Sequence, residues 1–197
     1  MLRRLSLLLV LSIILMSCIK QPKSISDVQM YISDKKNGLV SSKQIGDVVV
    51  KLTWQPWQII ASKLNKSKSA QSLAQLDNNC FFILSFSKDN KELLRQLDFN
   101  LYSEMVNVFS FRMQSFISIT SSDTISVFPK DCLFQQTYGA SDANNLLLIF
   151  DNNEIKNMDE FIVSIQEFGL GFGNLKFRIN SKNMSQFEKL NLKTQLQ

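Results

Sequence analysis

The sequence predicts an α+β fold, a predominantly antiparallel β sheet or sandwich with two or three short helices. Three observations carry that prediction. Apolar and β-branched runs of strand length recur along the chain, and residues 81–86 and 145–150 are the most continuous of them. Most of the 15 phenylalanines fall inside such runs, which makes the core aromatic-rich. With 6 glycines and 3 prolines in 197 residues, the composition is that of a folded chain rather than a disordered one.

In chain order, residues 28–33 read as a first strand, followed by a turn over 34–38 with Gly38 at the position that needs positive φ. Residues 47–54 are rich in β-branched side chains and predict a second strand. Pro56 then suits the first position of a helix, with Trp57, Ile60 and Leu64 on one face. Ser69 caps a short helix through Leu76, because Ala70, Leu73, Ala74 and Leu76 follow helical spacing. After the buried strand at 81–86, Asp89 or Asn90 caps a further short helix through Leu97. Tyr102, Val106, Phe109, Met113 and Phe116 fall at the rhythm of a helix face, which predicts a helix to about Met113 and a strand over 115–120. Strands follow at 124–128, 133–137, 145–150, 161–168 and 176–180, and residues 182–197 form a polar closing helix.

The N-terminus has a different pattern. Arg3 and Arg4 precede an apolar run over 5–16, which closes on Leu15-Met16-Ser17-Cys18. The run is about 12 residues, short of the roughly 20 needed to span hydrocarbon, and its basic start and small-residue end fit a removed signal. The closing motif resembles the lipobox of bacterial lipoprotein signal peptides. That resemblance implies that residues 1–17 are removed and that Cys18 becomes the first mature residue, carrying diacylglycerol and an N-acyl chain. The partner it implies is the lipid bilayer. Each buried CH₂ contributes about 0.8 kcal/mol, and two or three chains hold a protein far more firmly than one.

Residues 18–27 then read as the lipidated Cys and a short tether, reaching about 15–20 Å at coil dimensions, with a single domain over 28–197. Ile19 follows the cysteine where an Asp resembles the inner-membrane retention mark, so the expected location is the outer membrane, facing the periplasm. Other strand-like runs, at 80–86 and 146–151, resemble those of uncharacterised envelope lipoproteins, with no function attached.

Loss of Arg3 and Arg4 lowers the formal charge from +5 to +3. The remaining charge is spread out, and the only basic cluster, Lys63, Lys66 and Lys68, sits among Ser and Asn. It reads as a solvated loop and not as a nucleic-acid interface. An oxidising compartment leaves two readings for Cys80 and Cys132. One is a disulfide closing about 52 residues and contributing roughly 4 kcal/mol in the chain-entropy model. The other is a pair of buried thiols.

The absence of histidine removes Ser-His-Asp and Cys-His nucleophiles, and with two remaining cysteines no metal centre or cofactor is implied. Ser-x-x-Lys occurs at Ser33/Lys36 and Ser85/Lys88 without the companion motifs of penicillin-binding enzymes. Gly169-Leu170-Gly171-Phe172-Gly173 lacks the spacing of a dinucleotide loop and is followed by a strand, so it reads as a hairpin turn. Asp98, Glu104, Asp123, Asp131, Asp151, Glu154, Asp159, Glu160 and Glu167 fall in turns and at strand edges, with no marked catalytic pair.

Trp54 and Trp57 stand at a strand-to-helix corner. They form either an exposed platform for a sugar ring or a protein partner, or two core aromatics. No catalytic residue is assigned. The expected function is a non-enzymatic binding or assembly module of the envelope with a protein partner. Its rivals are a carrier for a small amphiphile held among the phenylalanines, and a two-carboxylate glycan hydrolase.

Overall fold

The computed structural model describes residues 24–63, 76–121 and 126–188, with side chains to 185. Among them the fold is α+β, with two antiparallel sheets and five α-helices. The first sheet runs in the order β1 (Val40–Ile45), β2 (Val48–Gln55), β3 (Asn79–Lys88), β8 (Asn144–Asp151), β7 (Asp131–Gln135), with β4 (Lys91–Glu92) paired to the end of β3. The second runs β10 (Leu175–Asn180), β9 (Glu160–Ile165), β5 (Ile117–Thr120), β6 (Ser126–Val127). The start of β1 meets the end of β10, where the Asn180 N–H donates to the Gly38 carbonyl at 3.0 Å.

Period-2 alternation decides what the sheets enclose. On β3, Cys80, Phe82, Leu84 and Phe86 point inward, and on β8 so do Leu146, Leu148 and Phe150. The Phe82 ring meets Phe150 edge-on at 5.9 Å and Phe161 of β9 at 6.0 Å, so one side chain joins both sheets. At the other end Phe86, Phe109 and Phe168 make a second aromatic group, with Phe86–Phe168 centroids 5.7 Å apart. The phenylalanines therefore pack on one another between the sheets.

Three elements differ from the sequence expectation. Residues 28–33 are not a strand but belong to helix α1 (Ile25–Ser33). The Ser24 hydroxyl accepts the Asp27 N–H and the Asp27 carboxylate accepts the Ser24 N–H, each at 3.0 Å, a capping box that outweighs the apparent alternation. Val28 and Ile32, one turn apart, are the buried face. Residues 24–27 are thus the cap and first turn of a helix, and the domain begins before position 28.

Asp89 and Asn90 do not cap a helix. Both have positive φ, 52° and 54°, and make the two-residue turn of the β3–β4 hairpin, a geometry Asp and Asn tolerate. The helix expected to end near Met113 runs on. Helix α3 (Phe99–Asn107) passes through a π-turn (Val108–Arg112) into a 3₁₀ turn (Met113–Phe116). Its inward face still carries Phe109 and Met113, and Phe109 meets Phe134 of β7 edge-on at 5.4 Å.

The remaining strands lie within about three residues of their expected positions, and β1 was not anticipated. Pro56 precedes helix α2 (Trp57–Lys63) as expected. Helix α4 (Asn152–Ile155) follows β8, and the closing helix is present as α5 (Ser181–Glu188). The Ser69–Leu76 helix falls almost wholly outside the described residues, as do Leu64, Thr124 and the end of the closing helix.

Candidate functional site

Cys18, the residue expected to carry lipid, lies outside the described residues, as do Lys66, Lys68 and Asp123. The tryptophan platform is not formed. Trp54 ends β2 with 5% exposure and belongs to the core, because its place in the alternation points it inward with Val50 and Leu52. Trp57, on the first turn of α2, is half-buried, and its indole N–H is shielded with no hydrogen-bond partner among the described residues. Together with Pro56, Cys80, Asn152 and Met184 they line a crevice of about 20 Å³, room for a single water.

The two cysteines are buried thiols and not a disulfide pair. Cys80 faces Phe150 across the β3–β8 ladder and Cys132 faces Leu148 across β7–β8, so a whole strand separates them. Two strand spacings come to about 9–10 Å, beyond the reach of a disulfide. Burial, reinforced by the Asp131 charge, pushes the Cys132 thiol up to about 12, which leaves it unreactive near neutral pH. Ser85 and Lys88 lie three apart on one strand and so point to opposite faces. The Ser85 hydroxyl donates to Asn145 Oδ1 at 2.6 Å, and Lys88 pairs with Asp47 at 2.5 Å.

The glycine run is the β9–β10 connection, and its geometry is more specific than a turn. The N–H groups of Phe168, Gly169, Gly171 and Gly173 converge on the Glu167 carboxylate at 2.5–3.1 Å. Gly169, Gly171 and Gly173 all have positive φ, the conformation that turns successive N–H groups to one side. Burial pushes the Glu167 carboxyl up, but the N–H groups of Gly169, Gly171, Gly173 and Leu170 outweigh it and leave it below the usual range. An anion nest is therefore present, occupied by the chain's own side chain.

A second such carboxylate was not singled out from sequence. Glu92, 2% exposed on β4, accepts hydrogen bonds from the Thr137 hydroxyl, the Gly139 N–H at 2.8 Å and the Ser141 N–H at 3.3 Å. Other acidic residues act locally. Asp98 and Asp151 cap α3 and α4, Asp151 also pairs with Lys130 at 2.8 Å, and Asp131 accepts the Cys132 N–H.

A groove of about 920 Å³ lies at the end of the second sheet. Thr120 and Ser121 at the end of β5 form one side, and Arg178 and Asn180 of β10 with Lys182 of α5 the other. Asp159 and Glu160 enter from the start of β9, with Met158 and Ile162 beside them. Register brings the charges together: Glu160 is opposite Asn180, so Arg178 lies on its diagonal.

Arg178–Glu160 is 3.8 Å and Lys182–Asp159 is 3.4 Å, and all four side chains are more than half exposed. A general-acid carboxyl needs shielding from water. Asp159 and Glu160 are exposed and each faces a cation. Asn180 also contributes a shielded Oδ1 with no hydrogen-bond partner among the described residues. Sequence reasoning named Glu154, Asp159 and Glu160 but had no signal for the basic and hydroxyl residues facing them.

Among the described residues no group of His, Cys, Asp and Glu is placed to hold a metal ion, and no helix is long and apolar enough to cross a membrane. No family model matches the sequence, and no curated protein is significantly similar to it. One solved structure, a novel protein of unknown function from Burkholderia pseudomallei K96243, is similar over 82% of this chain and 87% of that chain. The identity is 12% and the TM-score 0.38.

Proposed function

We propose that this chain is a lipid-anchored protein of the cell envelope, held through an acylated Cys18 and facing the periplasm from the outer membrane. Its folded domain acts as a non-enzymatic binding or assembly module. The observation that carries the anchor is the basic start, the short apolar run and the closing Leu15-Met16-Ser17-Cys18. Helix α1 is capped at Ser24, six positions after that cysteine, so its first turn sits close to the bilayer. The groove between β5, β9 and β10 supplies the recognition surface. Its loosely held ion pairs stabilise the fold little and are available to a ligand.

The test is the intact mass of the protein extracted in detergent from its native host, beside a Cys18→Ser variant. A mass matching residues 18–197 plus acyl groups, lost in the variant along with membrane retention, supports the reading. An unacylated mass sinks the anchor and the localisation with it.

A further inference from the structure

We propose that the open edge of β1 takes an added strand, an extended acidic segment of a partner protein. The inference rests on the binding-module reading, to which it adds a partner chemistry, and uses neither the lipid anchor nor the groove. Three observations point to this partner.

The first is unpaired backbone. Strand β1 ends the first sheet, and the Trp54 N–H donates to the Leu39 carbonyl, so the odd-numbered residues of β1 face β2. In an antiparallel ladder, alternate residues turn both N–H and C=O to the same side. Val40, Ser42 and Gln44 therefore turn theirs outward, and these backbone groups have no partner among the described residues. At the opposite edge of the sheet the helix run covers β7. Phe109 packs on Phe134 there, and Gln136 Nε2 donates to the Tyr102 hydroxyl at 3.1 Å. β1 has no such cover, and Ser42, Lys43 and Gln44 are exposed.

The second observation is a seam between the sheets. β1 and β10 meet where the Asn180 N–H donates to the Gly38 carbonyl, and no further backbone bond joins them among the described residues. Lys43 lies opposite Val50 on the core side of the sheet yet is exposed, so the sandwich opens along β1. An extended peptide fits this opening because its alternating donors and acceptors match the edge, as a phosphate or a sugar does not.

The third is charge, which selects the partner. Lys43 on the core side and Lys51, opposite Ser42 on the outer side, are exposed and have no ion pair among the described residues. The carboxylate of the same hairpin, Asp47, is held by Lys88 at 2.5 Å. Pairing two β1 edges about a two-fold axis sets the Lys43 side chains of both copies on one face, and like charges across strands repel. Pairing β1 with the β10 edge of a second copy sets it against Lys176 and Arg178 instead. A strand carrying Glu or Asp meets cations on either face.

The experiment titrates the full chain, in micelles of a non-ionic detergent, with a fluorescein-labelled peptide of alternating Glu and Val. Binding is followed by anisotropy and by amide hydrogen exchange. Saturable binding is expected, with new protection at the Val40, Ser42 and Gln44 amides. An added strand uses one of its own edges, so N-methylating one alternate set of peptide amides abolishes binding and methylating the other set leaves it. A twin peptide of Lys and Val does not bind. Lys43→Glu is expected to weaken binding by about tenfold. Ser42→Pro, which an edge strand tolerates where the N–H faces outward, abolishes it. Phe99→Ser, an exposed substitution on α3, leaves it unchanged.

The proposal is overturned if the acidic peptide does not bind, if both methylated sets bind, or if Ser42→Pro folds and still binds. Should Ser42→Pro not fold, the methylated peptides and Lys43→Glu decide. It is equally overturned if the edge takes a second copy, seen as a dimer by sedimentation, or a single-stranded oligonucleotide in place of the peptide. Protection at Thr120 and Arg178 instead would sink this proposal and keep the binding-module reading. None of these results touches the acylation mass, so this failure and that of the anchor are separable.

Discussion

Glu92 and Glu167 solve one problem in two ways. Each is a carboxylate that gathers the N–H groups of a glycine-containing loop, yet one collects them from far along the chain and the other from its next six residues. Glu92 is buried, and its partners Thr137, Gly139 and Ser141 lie 45 to 49 residues away, so it ties β4 to the loop entering β8. Glu167 is partly exposed and ties only its own hairpin loop. A long-range tie of this kind holds tertiary structure, and a local one holds loop shape. Substitutions at the two sites should therefore differ in size.

The largest effect is expected at Glu92. Glu92→Ala removes a buried carboxylate and leaves the partly buried Thr137 hydroxyl and the Gly139 and Ser141 N–H groups without their acceptor, and should cost about 3 kcal/mol. For a domain of this size that lowers Tm by roughly 6–12 °C in a thermal melt. A loss no greater than that of Glu167→Gln would erase the distinction drawn here.

Glu167→Gln should cost about 1 kcal/mol at neutral pH, because water already screens part of the site. Its pH dependence sharpens the comparison. The folded carboxyl is held below its usual value of 4.5, so its contribution is complete above that value. It is lost as pH falls through the lowered folded value. The Tm gap between wild type and Glu167→Gln should narrow on acidification below about pH 4, and a gap that widens would reverse the sign argued here.

Glycine substitutions probe the local loop more finely. An added Cβ at Gly169 would lie 3.0 Å from Met105 Cε, whereas Gly171 has nothing within 4 Å. Both have positive φ, so Gly171→Ala should cost about 1–2 kcal/mol from the backbone alone, and Gly169→Ala measurably more. Urea midpoints of the two variants order them. Equal midpoints would mean that Met105 simply moves aside.

The smallest effect falls on the Glu92 loop. Tyr138 sits in the left-handed region at φ 53° with 70% of its surface exposed. Tyr138→Gly relieves that conformation and should raise stability by about 0.5 kcal/mol, the relief exceeding the added freedom of the unfolded chain. A destabilised variant would show that the ring is held by contacts worth more than the strain.

The same contrast explains what could be read from the sequence. The Glu167 loop was legible as a hairpin because its glycines are contiguous and a strand follows. Glu92 was not, because nothing beside Lys91-Glu92 announces partners that arrive only in the β7–β8 loop. The continuous strands β3 and β8 and the Tyr102–Phe116 helix face were legible from apolar spacing alone. Strand β1 (Val40–Ile45) was missed because half of its residues are exposed, and pairing to β2 holds it more than an apolar face does. Helix α1 was misread because Val28, Met30 and Ile32 alternate while the Ser24/Asp27 cap overrules them. The groove gathers residues from β5, β9, β10 and α5, and no local pattern joins Thr120 to Lys182.

The sheet order has a kinetic consequence. Strand β3 is the longest described and carries three phenylalanines, and one of its two long neighbours, β8, is about sixty residues further along the chain. As the chain emerges in sequence, β2 and β3 pair early, and the other edge of β3 stays open until β8 has been made and docked. Loop closure over that distance slows folding, and an open, phenylalanine-rich edge is a site for association between chains. Refolding yield should therefore fall with concentration more steeply than native stability would suggest, and the hazard is set by when β8 arrives.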